Sequence, residues 1–247
     1  MTKATAVRKY IYKILKKIRS ILTVWIAAPS VGHLRAIRLE EIDLATTLME
    51  RMGGYSVIEI GGGVGWQAAE LESRGYAVTS YDVSTSNYKK LRNSKVKEYD
   101  GESIPEPDHV FDLCFSSNVL EHIPDTRGAV AEQLRVLKSN GYLLHILPTT
   151  SWRLWTSITD LVKRFYLLGP HGEHSKNIVD ELLQFSRARW SSRFEKAGLV
   201  VIDIVPGGIF YTGNCILDAR LSIKNRKRIS KFIGSSCNYY LLKPRGE

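Results

Sequence analysis

The chain has 247 residues, long enough for one large α/β domain with a real core or for two small ones, and one domain with appendages is the better expectation. A hydrophobic content of 44% with 24% charged residues is ordinary for a soluble globular protein, and no apolar run reaches the roughly 18 residues that a membrane-spanning helix needs. The net charge of +10 is unevenly held: residues 1–39 carry nine Lys/Arg and no acid, residues 219–247 carry eight and one acid, and the stretch between is mildly acidic.

At the start, Val7, Tyr10, Ile11, Ile14, Leu15, Ile18, Ile21, Leu22 and Trp25 recur at helical spacing, with Arg8, Lys9, Lys13, Lys16, Lys17 and Arg19 mostly between them. This predicts a basic amphipathic helix ended by Pro29 and Gly32. Its charges continue to Arg19, so a cleaved signal peptide is not expected. A second helix over residues 34–52 leads into Gly53 and Gly54. Residues 1–52 are therefore read as a basic helical extension and residues 53–247 as the main domain, with a lid over the acceptor at about 149–176. Three uses of the basic helix stay open. It can lie on an anionic membrane through residues 7–26, or pack on the domain or a second subunit. It can also bind nucleic acid, a use that favours a basic groove with stacking aromatics over an Ile/Leu seam.

From residue 56 onward apolar strands alternate with helices. Strands are predicted at 56–60, 77–81, 95–99, 111–116, 142–147, 200–205 and 237–243, and helices at 65–74, 84–92, 126–138 and 177–197, with Gly75 and Gly141 at helix ends. Repeated strand-helix units imply an α/β fold with a largely parallel sheet covered on both faces. Cys114, Cys215 and Cys237 are odd in number and lack any CxxC spacing, which fits buried free thiols in a reducing, cytoplasmic compartment.

The stretch "VIEIGGGVGW" (residues 57–66) places a glycine run directly behind the first strand. The dinucleotide fingerprint GxGxxG fails in both registers: starting at Gly61 it puts Trp66 in the last place, and starting at Gly62 it puts Val64 in the middle one. What fits is ExGxGxG, with Glu59, Gly61, Gly63 and Gly65. Glycines there let backbone approach a ligand without a Cβ; the bland alternative is a tight strand-to-helix turn with no ligand. Asp82 ends the second strand, where a carboxylate accepts both ribose hydroxyls, although a nicotinamide site uses the same device.

That glycine spacing resembles the first motif of class I S-adenosylmethionine-dependent methyltransferases. "FDLCFSSNVLEHIPDTRGAVAEQLRVLKSNGYLLHILPT" (residues 111–149) resembles the region from fourth to fifth strand in the methyltransferase type 11 group. Together the likeness covers about residues 55–150, in order and spacing. It implies a Rossmann-like seven-stranded sheet of order 3-2-1-4-5-7-6 with strand 7 antiparallel, helices on both faces, and S-adenosylmethionine at the carboxyl ends of the strands. It also implies that Asp100 receives the adenine amino group and that Ser117 and Asn118 lie along the cofactor. Related enzymes with a Glu in place of Asn118 hold a divalent cation through a Glu/Glu/His set; Asn118 removes an anionic ligand, and no metal is expected here.

Methyl transfer displaces a thioether from a sulfonium and needs no acid, but an alcohol acceptor must lose a proton, which calls for a base or a metal. The candidates are His122 in "LEH" and His171, Glu173 and His174 in "GPHGEHSKN", with a solvated helix-capping turn as the plain reading of the second segment. His145, within a central strand, reads as a satisfied core histidine. Trp152, Trp155, Phe165, Tyr166, Phe210 and Tyr211 wall the acceptor or simply form the lid's own core. The basic segment "ARLSIKNRKRISKFIGSS" either grips an anionic substrate or is a solvated helix face. These features point to O-methylation of a saccharide or lipid-linked glycan precursor at the cytoplasmic face of the membrane. A quinone, lipid or RNA acceptor is the alternative, and a non-catalytic cofactor-binding or assembly module is the rival from another class.

Overall fold

The computed structural model describes residues 12–14, 16–17, 20, 26–27, 29–164, 169–217 and 220–246. Its centre is a sheet of seven strands: β1 (Ser56–Ile60), β2 (Ala77–Val83), β3 (Val96–Tyr99), β4 (Phe111–Ser117), β5 (Leu137–Pro148), β6 (Leu199–Pro206) and β7 (Cys237–Pro244). Their order is β3-β2-β1-β4-β5-β7-β6. The first five strands run parallel, and β7 is antiparallel to both β5 and β6. The sheet order expected from the sequence is the one observed.

The central strands are buried on both faces and read as nearly unbroken apolar runs, as parallel strands between helical layers must. On one face Ile58, Cys114, Leu143 and Tyr240 meet α3 (Thr126–Val136) and α6 (Arg187–Lys196), which contribute Val130 and the fully buried Trp190 and Phe194. On the other, Val57, Leu113, Phe115 and Leu144 meet α1 (Val31–Met52) and α2 (Trp66–Ser73) through Ile42, Ala45, Leu48, Met49 and Leu71. Ser30 starts α1 by accepting from the His33 N–H, and Gly53, at φ 73°, ends it. The half of the expected N-terminal extension from Val31 is therefore built into the core. Of the expected basic helix, residues 12–14, 16–17 and 20 are helical and exposed, and the rest lies outside the described residues.

The lid region is α4 (Thr150–Arg164), a loop over residues 169–177, and α5 (Ile178–Gln184). The helix expected over 177–197 is two helices, because Ser186 caps a new start by accepting from the Arg189 N–H while Phe185 turns into the core. The helix expected over 84–92 is a single 3₁₀ turn, Lys89–Leu91. Gly141 stands within β5 rather than at a helix end. The basic C-terminal segment forms α7 (Ile223–Ile233), capped by Ser222. A two-residue ribbon pairs Ile26–Ala27 with Cys215–Ile216. Cys114 and Cys237 are buried free thiols. Among the described residues no helix is long and apolar enough to cross a membrane.

Candidate active site

A cleft of about 1300 Å³ opens at the carboxyl ends of β1, β2 and β4. Its floor is the turn from β1 into α2. Gly61 and Gly62 both donate their N–H to the Tyr81 carbonyl, and the Gly63 N–H donates to Asp82 Oδ2 at 3.0 Å. Gly61 has φ 81° and no room for a side chain, since a Cβ would run into Val119. Such a cradle admits ligand atoms to the backbone that any larger residue would exclude. Gly62, outside the ExGxGxG pattern, is as constrained, because a Cβ would strike Ser80.

Eight of the twelve sequence-predicted residues line this cleft: Gly61, Gly63, Asp82, Asp100, Ser117, Asn118, His122 and His171. Asp82 is buried at the end of β2, held by the Gly63 and Val83 N–H groups and by Arg92. Asp100 accepts the Glu102 and Ser103 N–H groups at 2.8 Å, and these bonds lower its pKa. Asn118 takes φ 55° directly after β4, donates its N–H to the Ile146 carbonyl and its side-chain amide to Ser117 Oγ.

The other four stand behind the walls. Glu59 is buried beneath the glycine turn and accepts from Ser80 Oγ at 2.5 Å; burial raises its pKa to about 7. Gly65, at φ 91°, starts α2 against Asn93. Glu173 joins the lid to the post-β4 turn through its N–H and the Glu121 carbonyl at 2.8 Å. His174 places Nε2 between Thr126 Oγ1 and the Leu120 carbonyl and meets Trp190 edge-on, so it anchors the lid.

His122 and His171 come together across 49 residues of sequence. Their ring centroids are 4.6 Å apart, edge to face, and Trp152 flanks His171 at 4.8 Å. Desolvation lowers the pKa of both, with the charges of His122 and Arg153 adding to the effect at His171, while Glu173 opposes it at His122. Both imidazoles are therefore neutral near pH 7 although each keeps contact with solvent in the cleft. Glu181 fixes the His171 backbone by accepting the His171 and Gly172 N–H groups at 2.6 Å, and Arg153 pairs with it at 2.5 Å.

Beneath the pair lies Glu121, fully buried, with neither carboxylate oxygen hydrogen-bonded among the described residues. Desolvation, reinforced by Glu41 and Glu181 and opposed by its own N–H and Arg38, raises its pKa to about 8. Ligand atoms of Glu121, His122 and His171 lie within 4.8 Å of one another, a composition that can accept a divalent cation. His145, by contrast, is buried in β5, bonded to Ser116 at 2.8 Å and stacked on Phe194. Phe165 and Tyr166 lie outside the described residues.

Sequence reading missed a buried polar wall. Glu41 of α1 accepts Arg38 Nη1 at 2.6 Å, the Tyr211 hydroxyl at 2.7 Å and Ser117 Oγ at 3.3 Å, while Tyr239 donates to its carbonyl. Arg38 and Tyr211 line the cleft. The available signal was an acid on the core stripe of a helix, Ile37-Glu41-Ala45-Leu48, a position where a charge needs partners. Glu181 and Arg153 are likewise buried charges on helices, each the other's partner.

Taken together, a close-approach backbone turn, a buried carboxylate at the end of β2 and an acidic loop after β3 fit a nucleoside carrying a charged tail. The comparisons agree. A family model described as "Methyltransferase domain" matches residues 58–145. An uncharacterized methyltransferase of Mycobacterium sp. strain KMS is 31% identical over 134 residues, 53% of this chain and 46% of that protein. A ubiquinone biosynthesis O-methyltransferase of Paramagnetospirillum magneticum is 28% identical over 140 residues, 53% of this chain and 55% of the other. The chain thus spans about half the length of these curated relatives. Among solved structures, an S-adenosylmethionine-dependent methyltransferase of Mesorhizobium loti superposes with a TM-score of 0.55 at 12% identity, covering 82% of this chain and 97% of that one. Residues 58–145 thus match a methyltransferase domain, and the sheet order and glycine cradle give the chain the fold of the S-adenosylmethionine-dependent methyltransferases it superposes on.

Proposed function

We propose that the protein methylates a hydroxyl of a saccharide or lipid-linked glycan precursor, with S-adenosylmethionine as methyl donor. In this reading Gly61 and Gly63 receive the amino acid tail, Asp82 the ribose hydroxyls, Asp100 the adenine amino group, and Ser117 and Asn118 flank the sulfonium. Glu59 and Gly65 shape the turn from behind. The donor supplies a methyl group on a positively charged sulfur, and the C–S electron pair stays on that sulfur as the C–O bond forms.

The acceptor hydroxyl must shed its proton, and the neutral His122–His171 pair takes it. The observation that carries this role is the pair itself: two imidazoles kept neutral beside Trp152, on the cleft wall that continues from Asn118. Trp152 and Tyr211 offer a sugar apolar faces, and Arg38 offers an anionic acceptor a cation. Glu173 and His174 act on this pair through lid position and charge. Basic segments at both termini suit a lipid-linked acceptor on an anionic membrane, with residues 7–26 as an interfacial helix at the cytoplasmic face.

A quinone acceptor is the second reading, favoured by the relative named for ubiquinone biosynthesis. Incubation with isotopically labelled S-adenosylmethionine and separate cell-envelope glycolipid, quinone and RNA fractions, read by mass spectrometry, decides between them. Label in a glycolipid hydroxyl is expected; label only in quinone or RNA overturns the acceptor, and a methyltransferase-dead protein overturns the activity.

A further inference from the structure

The surface of the lid helices has a feature that methyl transfer does not use. On α4, Trp152 turns into the cleft, while Leu154, Ile158 and Leu161 face outward, 44%, 40% and 49% exposed, at the i, i+4, i+7 spacing of one stripe. α5 adjoins the start of α4, with Thr150 Oγ1 donating to the Leu182 carbonyl at 2.8 Å, and exposes Val179 and Leu183. α7 adjoins it too, since Ser151 Oγ and Trp155 Nε1 both donate to the Ile233 carbonyl. The residue before that contact, Phe232, is 88% exposed. Two helices thus flank the start of α4, and all three leave large apolar side chains in water.

Charge says what covers this face. Lys224, Lys227, Arg228 and Lys231 are exposed and share one stripe of α7 by their i, i+3, i+4, i+7 spacing, with Lys227 paired to Glu40 of α1; buried Arg226 and Ser230 lie on the opposite side, and the helix contains no acid. Phe232 follows directly on the last of these cations. The ribbon pairing Ile26 with Ile216 sits against the same helix, because Arg226 Nη2 donates to the Ile216 carbonyl at 2.8 Å. A row of cations beside exposed leucine, isoleucine and phenylalanine has the chemistry of a surface that meets acidic headgroups with the first and the acyl boundary with the second.

We propose that the outer face of α4, α5 and α7 is a docking surface for an anionic lipid bilayer. Through Trp152 on the reverse side of the same helix, docking sets the acceptor end of the cleft at the membrane. This deepens the lipid-linked acceptor reading and rests on it for its purpose, but vesicle binding is measured without any methyl transfer, so each can fail alone.

The test is co-sedimentation of the full chain with phosphatidylglycerol-containing vesicles and with pure phosphatidylcholine vesicles. The expected result is binding to the former that weakens with salt. A Leu154→Ser/Ile158→Ser/Phe232→Ser variant should bind about tenfold more weakly or worse, with its melting temperature and S-adenosylmethionine affinity kept. A Lys224→Glu/Arg228→Glu/Lys231→Glu variant should lose the preference for acidic lipid. Wild-type binding in both variants overturns the proposal, leaving the N-terminal segment as the sole contact. A wild-type dimer that the apolar variant converts to monomer overturns it in favour of a second copy of this chain, and tight RNA binding without vesicle binding overturns it in favour of nucleic acid.

Discussion

The two ends of the cleft are built in opposite ways. At the end proposed for the cofactor, the cleft is lined by backbone and short side chains at strand ends: Gly61 and Gly63 in the β1 turn, Asp82 after β2, and Asn118 after β4. Hydrogen bonds of the main chain fix these positions, so their geometry follows from the sheet. At the end proposed for the acceptor, α1, α4, the His171 loop and the post-β4 turn converge through long side chains, and buried charges hold them: Glu41 accepts from Tyr211 and Ser117, and Arg153 pairs with Glu181. One end rests on main-chain hydrogen bonds; the other is stabilised by charged pairs whose disruption leaves an uncompensated charge.

That contrast can be broken most severely at Gly61. Gly61→Val drives a branched side chain into Val119 at a positive φ, and S-adenosylmethionine affinity measured by calorimetry should fall about 100-fold or more. Retained affinity would show that the turn is not the ligand cradle. At the acceptor end, His122→Ala/His171→Ala should lower kcat by about 10²–10⁴ while cofactor affinity stays within error. Unchanged turnover would remove the pair from the reaction, and loss of wild-type activity on treatment with a chelator would move proton removal to a cation at Glu121, His122 and His171. Because desolvation lowers both imidazole pKa values, the wild-type rate should hold its plateau below the ordinary histidine value of about 6.5 before falling with acid.

A smaller effect concerns stability. The Glu121 pKa is raised in the fold to about 8, so its contribution is fully present below the carboxylate's unfolded value and is lost as pH rises through about 8. Glu121→Gln keeps the shape without the charge. Thermal melts should show it gaining on wild type between pH 6 and pH 9, by on the order of a few kcal/mol; parallel melting curves would mean that the carboxylate has an ionic partner. Smallest is His174→Ala, which removes a lid anchor but touches no reacting group: a fall in turnover of about tenfold or less is expected, with KM moving as much as kcat. A loss as large as that of the histidine pair would make it catalytic.

The same contrast explains what could be read in the sequence. Strand periodicity gave the strands and a largely parallel sheet, the resemblance to the methyltransferase family supplied their order and the antiparallel β7, and the glycine spacing located the turn because its constraint is local. His122 and His171 were recognisable as residue types, but their meeting depends on a loop pinned by Glu181, which no spacing records. Glu41 and Tyr211 meet across 170 residues, so their bond was invisible, although an acid on the apolar stripe of α1 marked where a partner was needed. The break between α5 and α6 was missed because Leu183, Phe185 and Trp190 continue an apolar pattern through the Ser186 cap.

The most direct measurement is isothermal calorimetry of S-adenosylmethionine with the wild-type chain and with Asp82→Ala. One-to-one binding by the wild type, weakened about tenfold or more when the buried carboxylate at the end of β2 is removed, is the expected outcome. No binding by the wild type, or equal binding by the variant, would contradict the assignment of this cleft.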